Sequence, residues 1–250
     1  MNAGILSNGA VTLLLAFAFS LVGCLLAVHS FARAINTAGP RGRFGWLFLG
    51  AWALAATAVW EMFLVAAIDL QTGGLQVRYD IASIIASIVV SVFVSALLLW
   101  LVFRRASTVG ILLGGALVGS VMAVDCFRVL SAIRVNAVVT LRTPMIVVVV
   151  LLLAVTTAPA LLFAVRSTRH GVLTGTAAFL AAMMTAAHYL GLHSIDISQS
   201  ADSTVTTGIL PAAVIVPVAI TLVLRLLLLL LVLLASTTST TDSRDVPVSA

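Results

Sequence analysis

Seven long apolar segments run along the chain, separated by short stretches of Gly, Pro, Arg and Asp. About 20 apolar residues in a helix are needed to cross roughly 30 Å of bilayer hydrocarbon. Lipid offers the backbone no hydrogen-bond partners, and these segments are too long and too uniform for barrel strands, so the pattern predicts helices. The predicted membrane-spanning helices are residues 10–32, 46–69, 82–103, 109–132, 144–166, 172–193 and 208–234.

The composition supports a membrane protein. Of 250 residues, 62% are hydrophobic and 8% are charged, with a mean hydropathy of +1.24, whereas a soluble domain carries about 25% charged residues. We predict an all-α fold in which residues 1–234 form one seven-helix transmembrane bundle. Residues 235–250 form a short polar tail, too short for a domain, so we expect any signal to pass to a separate cytoplasmic partner.

The arginines predict the orientation in the cell membrane. All 13 basic residues are arginine, and 11 of them lie in loops at the ends of apolar segments, which indicates topology signals rather than nucleic-acid binding. Eight lie in one set of loops and three in the other. The larger set is expected in the cytoplasm, which places the amino terminus outside and the tail inside. The larger set is Arg33, Arg41, Arg43, Arg104, Arg105, Arg166, Arg169 and Arg244, and the smaller is Arg78, Arg134 and Arg142.

The even-numbered helices end on related sequences. Residues 60–64 (WEMFL), 124–129 (VDCFRV) and 187–192 (AHYLGL) lie near the ends of the second, fourth and sixth predicted helices. Aligning Phe63, Asp125 and His188 gives two offsets of about one helix pair each. The spacing predicts three repeated helix pairs followed by a seventh helix.

These motifs resemble the MHYT domain of bacterial membrane sensors, which has seven spans and three Met-His-Tyr-Thr-Gly-Met motifs near the outer ends of helices two, four and six. The AHYLGL segment is the clearest copy, whereas the second copy has lost the motif. The resemblance implies a sensory domain whose histidines and methionines bind a metal, copper in particular, or sense a small diatomic gas. Carried to this chain, it implies His188 and Met62 as ligands, to which His193 and Cys126 are speculative additions.

Several polar residues lie within the apolar segments at a similar depth. The predicted ligand or sensor cluster comprises Glu61, Met62, Asp125, Cys126, Arg128, His188 and Tyr189. Asp125 and Arg128 are three residues apart and could instead form a purely structural ion pair. Arg225, near the middle of the seventh helix, is expected to face the bundle and to pair with Glu61 or Asp125. Cys24 and His29 are interpreted as packing residues.

Three functions remain open from the sequence. The first is a sensory or signalling membrane domain that acts through a separate partner. The second is a proton- or metal-coupled transporter, suggested by the charged groups within the spans. The third is an accessory membrane subunit that has lost its ligand site. We expect no enzyme, because the chain has no nucleophile elbow, phosphate-binding glycine loop or carboxylates paired for hydrolysis.

Overall fold

The computed structural model describes residues 9–69, 78–104, 107–134, 137–199 and 208–241. These residues form seven helices and four short strands. The helices are α1 (Gly9–Asn36), α2 (Pro40–Asp69), α3 (Ile81–Phe103), α4 (Thr108–Ser131), α5 (Thr143–Arg166), α6 (His170–His193) and α7 (Pro211–Thr241). The strands are β1 (Arg78–Tyr79), β2 (Ile133–Arg134), β3 (Ala137–Leu141) and β4 (Ile195–Gln199).

The predicted all-α fold class is confirmed, and each predicted span overlaps one helix. Among the described residues, five helices are long and apolar enough to cross a membrane by length and composition: Val11–Asn36, Ile81–Phe103, Thr108–Ser131, Thr143–Arg166 and His170–His193. Many of their large apolar side chains point outward, such as Phe93, which is 60% exposed, and Val155, which is 67% exposed. An apolar exterior of this kind is stable in lipid rather than in water.

Local sequence signals set where several helices begin. Asp80 precedes α3, and its carboxylate accepts a hydrogen bond from the Ser83 backbone N–H at 3.2 Å. Ser107 precedes α4 and accepts from the Gly110 N–H at 3.1 Å. These side chains satisfy backbone donors that have no partner within the first helical turn. Pro144 lies in the first turn of α5, where its missing N–H has no cost.

The first six helices pack as a ring of neighbours. Helices α1 and α2, α3 and α4, and α5 and α6 pack pairwise, and α2–α3, α4–α5 and α6–α1 contacts complete the ring. Helices α2, α4 and α6 also contact one another inside it, and α1 contacts α5. Helix α7 packs against α1 and, less extensively, α2. Three helix pairs from one repeated unit would pack in this way, although the internal repeat itself stays a prediction.

Short strands join the three loops at one end of the bundle. Strand β1 pairs with β2 and β3 pairs with β4, both antiparallel, and Tyr79 forms an isolated bridge with Ile209. The loops that follow α2, α4 and α6 are therefore each hydrogen-bonded to the other two. We call β1–β4 together with Ile209 the collar. No pattern in the sequence predicts strands β1–β4.

Charged side chains reinforce the collar. Arg134 contacts Asp80 at 3.2 Å, and Arg142 binds both oxygens of Asp196, at 2.7 and 2.9 Å. Hydrogen bonds from Ser83 and Arg134 lower the pKa of Asp80, and the bonds from Arg142 lower the pKa of Asp196. Arg78 donates to the Gly208 carbonyl oxygen at 2.9 Å. Each arginine of the smaller sequence set (Arg78, Arg134 and Arg142) therefore links its own loop to a neighbouring loop.

Candidate functional site beneath the collar

A buried carboxylate lies between α3 and α4, about two helical turns from the collar. Asp125 is 0% exposed. Its Oδ1 accepts hydrogen bonds from Ser87 at 2.7 Å and from Ser91 at 2.5 Å. The two serines are four residues apart and therefore lie on one face of α3. The second carboxylate oxygen, Oδ2, is buried and has no hydrogen-bond partner among the described residues.

The carboxylate borders a groove of about 290 Å³ between the two helices. Its polar lining consists of Ser87, Ser91, Ser120, Asp125 and Arg128, and its rim includes valines and leucines. Rim residues such as Val90 and Val124 are 54% and 51% exposed. In a membrane this groove opens toward the lipid rather than toward the centre of the bundle.

The structural ion pair between Asp125 and Arg128, one of the two interpretations of these residues, is not formed. The two described ion pairs are those of the collar, and Arg128 is exposed. Serine hydroxyls take the place of the arginine because α3 presents them directly opposite Asp125. A carboxylate in lipid surroundings needs hydrogen bonds wherever the packing supplies them.

Helix α6 carries the best-preserved motif, and its histidine is in the core. His188 is 0% exposed, Tyr189 is partly buried, and both lie near the collar end of α6. Cys126 of α4 is also 0% exposed, and a Cβ built on Gly191 would lie 2.8 Å from its Sγ. Cys126 therefore lies on the face of α4 that meets α6. Asp125, one residue earlier, is turned toward Ser87 and Ser91 of α3.

His193 lies in a different environment from His188. It is exposed at the end of α6, and its Nδ1 is 2.8 Å from the Tyr189 carbonyl oxygen. Across the part of the chain that the structure describes, no three His, Cys, Asp or Glu side chains gather to hold a metal. Glu61 and Met62 lie on α2, but their side chains are outside the described residues. The proposed metal ligands therefore stay a prediction.

Arg225 faces the bundle, as expected for an arginine within a membrane helix. It is 0% exposed, and its guanidinium carbon lies 5.1 Å from the Phe19 ring centroid and 5.5 Å from the Trp52 ring. These aromatic faces belong to α1 and α2, the helices on which α7 packs. Cation–π contacts contribute more when both groups are desolvated. The predicted contact with Glu61 is not tested.

Sequence reasoning missed the serine partners of Asp125. Ser83, Ser87, Ser91 and Ser95 recur every four residues along α3. That spacing places a polar stripe on one face of an otherwise apolar helix. The stripe is the sequence signal that could have identified α3, rather than Arg128, as the partner of the Asp125 carboxylate.

Comparison with protein-family models supports the resemblance seen in the motifs. Residues 57–115 match the MHYT model, described as a bacterial signalling protein N terminal repeat. The matched segment covers the end of α2, all of α3 and the start of α4, and so includes Ser87 and Ser91. The resemblance to the MHYT family is thereby confirmed over this segment. Comparison with curated proteins and with solved structures gave no match.

Proposed function

We propose that this MHYT-like chain is an integral membrane sensory domain, without enzymatic activity, that responds to a ligand bound beneath the collar. The observation that carries the proposal is the match of residues 57–115 to a repeat of bacterial signalling proteins. The buried polar groups of α3, α4 and α6 support it, because such groups are costly in lipid and in membrane helices mark functional sites. The signal would pass to a separate cytoplasmic protein.

We further propose that all seven helices span the cell membrane, with the amino terminus and the collar outside. The eight arginines of the larger sequence set favour this orientation. The three arginines of the collar end are bound to carboxylates or to a carbonyl oxygen, so they have a structural role of their own. With these three arginines given a structural role, the remaining loop arginines all belong to the set that we propose to be cytoplasmic.

Copper is the ligand that we propose for the His188 region. Imidazole, thioether and thiolate groups are the side chains that suit Cu(I). Cys126 lies where α4 meets Gly191 of α6, and His188 is buried in the core three residues before Gly191. Met62 lies on α2, which contacts both helices. His193 is exposed, and its Nδ1 is within hydrogen-bond distance of the Tyr189 carbonyl oxygen. We therefore assign the ligand role to His188.

Competition with a Cu(I) chelator tests the copper proposal. The full chain in detergent should take Cu(I) from the chelator, and His188→Ala should lose at least ten-fold in affinity, since ligand-set changes of this kind cost that much or more. His193→Ala is the matched control on the same helix and should bind as the wild type does. Equal affinity of all three proteins would overturn the assignment of His188.

A transporter is the second candidate, and the serine stripe favours it. Ser87, Ser91 and the buried Ser95 follow one face of α3 from the collar end toward the middle of the helix, beside the Asp125 carboxylate. Intramembrane carboxylates with nearby hydroxyls occur along ion and proton paths. Proton or metal flux into vesicles that contain the wild type but not Asp125→Asn would support transport. Equal flux in empty vesicles would exclude it.

A further inference from the structure

A second cavity lies at the end of the bundle opposite the collar. Its volume is about 440 Å³, within the usual range of small-molecule sites. Helices α1, α2, α6 and α7 and the link between α5 and α6 all contribute to its wall. Its floor is buried and includes His29, Leu173 and Val232, whereas Thr168 and His170 are exposed at its mouth. We call it the distal cavity.

The lining of the distal cavity is basic and rich in hydrogen-bond donors. Arg33, His29 and His170 line it together with Asn36 and several hydroxyl groups, and none of its lining residues is acidic. The two imidazole rings are stacked, with centroids 6.3 Å apart. Arg33 lies over the Trp46 ring at 5.1 Å, which orients its guanidinium at the cavity wall. Donors and positive charge without a carboxylate favour an anion.

Local geometry sets the role of His29 and adds backbone donors. His29 Nδ1 is 2.9 Å from the Leu25 carbonyl oxygen, so Nδ1–H donates within its own helix and Nε2 of the neutral ring can only accept a hydrogen bond. His29 therefore supports His170 by ring stacking and does not donate to an anion. The link of residues 167–169 leads directly into the amino terminus of α6, whose N-cap residue Arg169 makes no side-chain cap. Backbone N–H groups at a helix amino terminus bind phosphate and similar anions.

We infer that the distal cavity binds the phosphate group of an anionic ligand, held by Arg33, by His170 and by backbone N–H groups at the start of α6. The cavity is large enough for a phosphate together with part of the molecule that carries it. Two sources share this chemistry: the headgroup of an anionic phospholipid and a free phosphate compound. Neither Arg33 nor His170 belongs to the site beneath the collar, so the inference stands apart from the proposed sensory function.

The experiment uses the full chain with two probes. Inorganic pyrophosphate is titrated onto protein in neutral detergent, and binding is followed by the rise in Tm. Separately, protein in nanodiscs of phosphatidylcholine with or without phosphatidylglycerol is examined by native mass spectrometry for retained lipid. Wild type, Arg33→Gln, His170→Gln and Arg104→Gln are compared. Arg104 is the matched control because it also lies over a tryptophan ring, Trp100 at 4.6 Å, but does not line the cavity.

Arg33→Gln should weaken binding of the effective probe by about ten-fold or more, as expected when a charge-assisted hydrogen bond is removed. His170→Gln should weaken it less, and Arg104→Gln should match the wild type. Loss of the pyrophosphate effect alone identifies a free phosphate compound, and loss of retained phosphatidylglycerol alone identifies a lipid headgroup. If neither probe binds the wild type, or if Arg33→Gln and Arg104→Gln behave alike, the inference is wrong. His170 is exposed, so its variant keeps the test decisive if Arg33→Gln fails to fold.

Discussion

The hydrogen bond from Ser91 to Asp125 gives a quantitative test of the site beneath the collar. We expect Ser91→Ala to lower the free energy of unfolding because it removes one of two donors to a buried carboxylate. Hydrogen bonds to charged groups contribute about 1.5–3 kcal/mol in proteins generally, whereas side-chain hydrogen bonds between membrane helices average about 0.6 kcal/mol. The Ser91 bond is short and has a charged acceptor, so we expect a loss of about 1–2 kcal/mol.

Ser95→Ala is the matched control. Ser95 is buried on the same face of α3, one turn farther along, and its hydroxyl has no hydrogen-bond partner among the described side chains and backbone. Its removal should change the free energy of unfolding by less than about 0.5 kcal/mol. Both variants are compared by unfolding in mixed micelles with increasing denaturing detergent, followed by circular dichroism.

A double-mutant cycle with Asp125→Asn separates the charge from the packing. An amide oxygen accepts the same hydrogen bonds without the charge, so Ser91→Ala should cost about half as much in that background. Because Ser87 and Ser91 donate to the same carboxylate oxygen, the double variant Ser87→Ala/Ser91→Ala should lose more stability than the sum of its two single losses. Two results would show that Ser91 does not stabilise a buried carboxylate. One is an equal loss in free energy of unfolding for Ser91→Ala and Ser95→Ala; the other is an equal loss for Ser91→Ala in the wild type and in Asp125→Asn.

Three other predictions concern the packing and the collar. Gly191→Ala should destabilise the bundle by about 1–3 kcal/mol in the same unfolding assay, because its Cβ would lie 2.8 Å from Cys126 Sγ; Gly175→Ala, with open space around it, should not. Cys126→Ala removes the sulfur atom and should relieve that clash. If Gly191→Ala lowers the free energy of unfolding as much in the Cys126→Ala background as in the wild type, α4 and α6 do not approach each other closely at this point. Arg225→Leu and Glu61→Gln should each lower the free energy of unfolding, and the double variant should lose less than the sum of the two single losses. Strictly additive losses would show that the two side chains do not interact. Because the pKa of Asp196 is lowered in the folded state, its contribution to stability is present above about pH 4 and is lost as the pH falls through the folded pKa. Amide exchange in β3 and β4 should therefore accelerate at low pH, and Asp196→Asn should show no such acceleration; an identical acid response in both proteins would refute the role of this ion pair.

The helices could be predicted from the sequence because lipid leaves the backbone few alternatives. The backbone of an apolar segment of about 20 residues must form its hydrogen bonds within the segment, which requires a helix. The helix ends close to the first polar residues that follow the apolar segment. The predicted span 82–103 differs from α3 (Ile81–Phe103) by one residue, and 109–132 differs from α4 (Thr108–Ser131) by one at each end. The inward-facing Arg225 followed from the cost of a charge in lipid.

The collar and the detailed facing of side chains could not be predicted in the same way. Strands β1 and β2 have two residues each and pair between loops more than fifty residues apart, so no local periodicity marks them. One residue along a helix rotates the side chain by about 100°, which turns Asp125 toward α3 and Cys126 toward α6. The stacking of His29 on His170 could not be predicted, because His170 begins another helix far along the chain.

Labelling from outside the cell tests most directly the claim that the candidate sensory site lies beneath an external collar. Native Cys24 and Cys126 are both buried, so the wild type provides an unlabelled background for a membrane-impermeant maleimide. Thr140→Cys places a thiol on an exposed collar position, and Ala38→Cys places one on the exposed turn between α1 and α2 at the opposite end. On intact cells the reagent should label Thr140→Cys but not Ala38→Cys, and after permeabilisation it should label both. Labelling of Ala38→Cys alone on intact cells would place the collar in the cytoplasm and contradict the account.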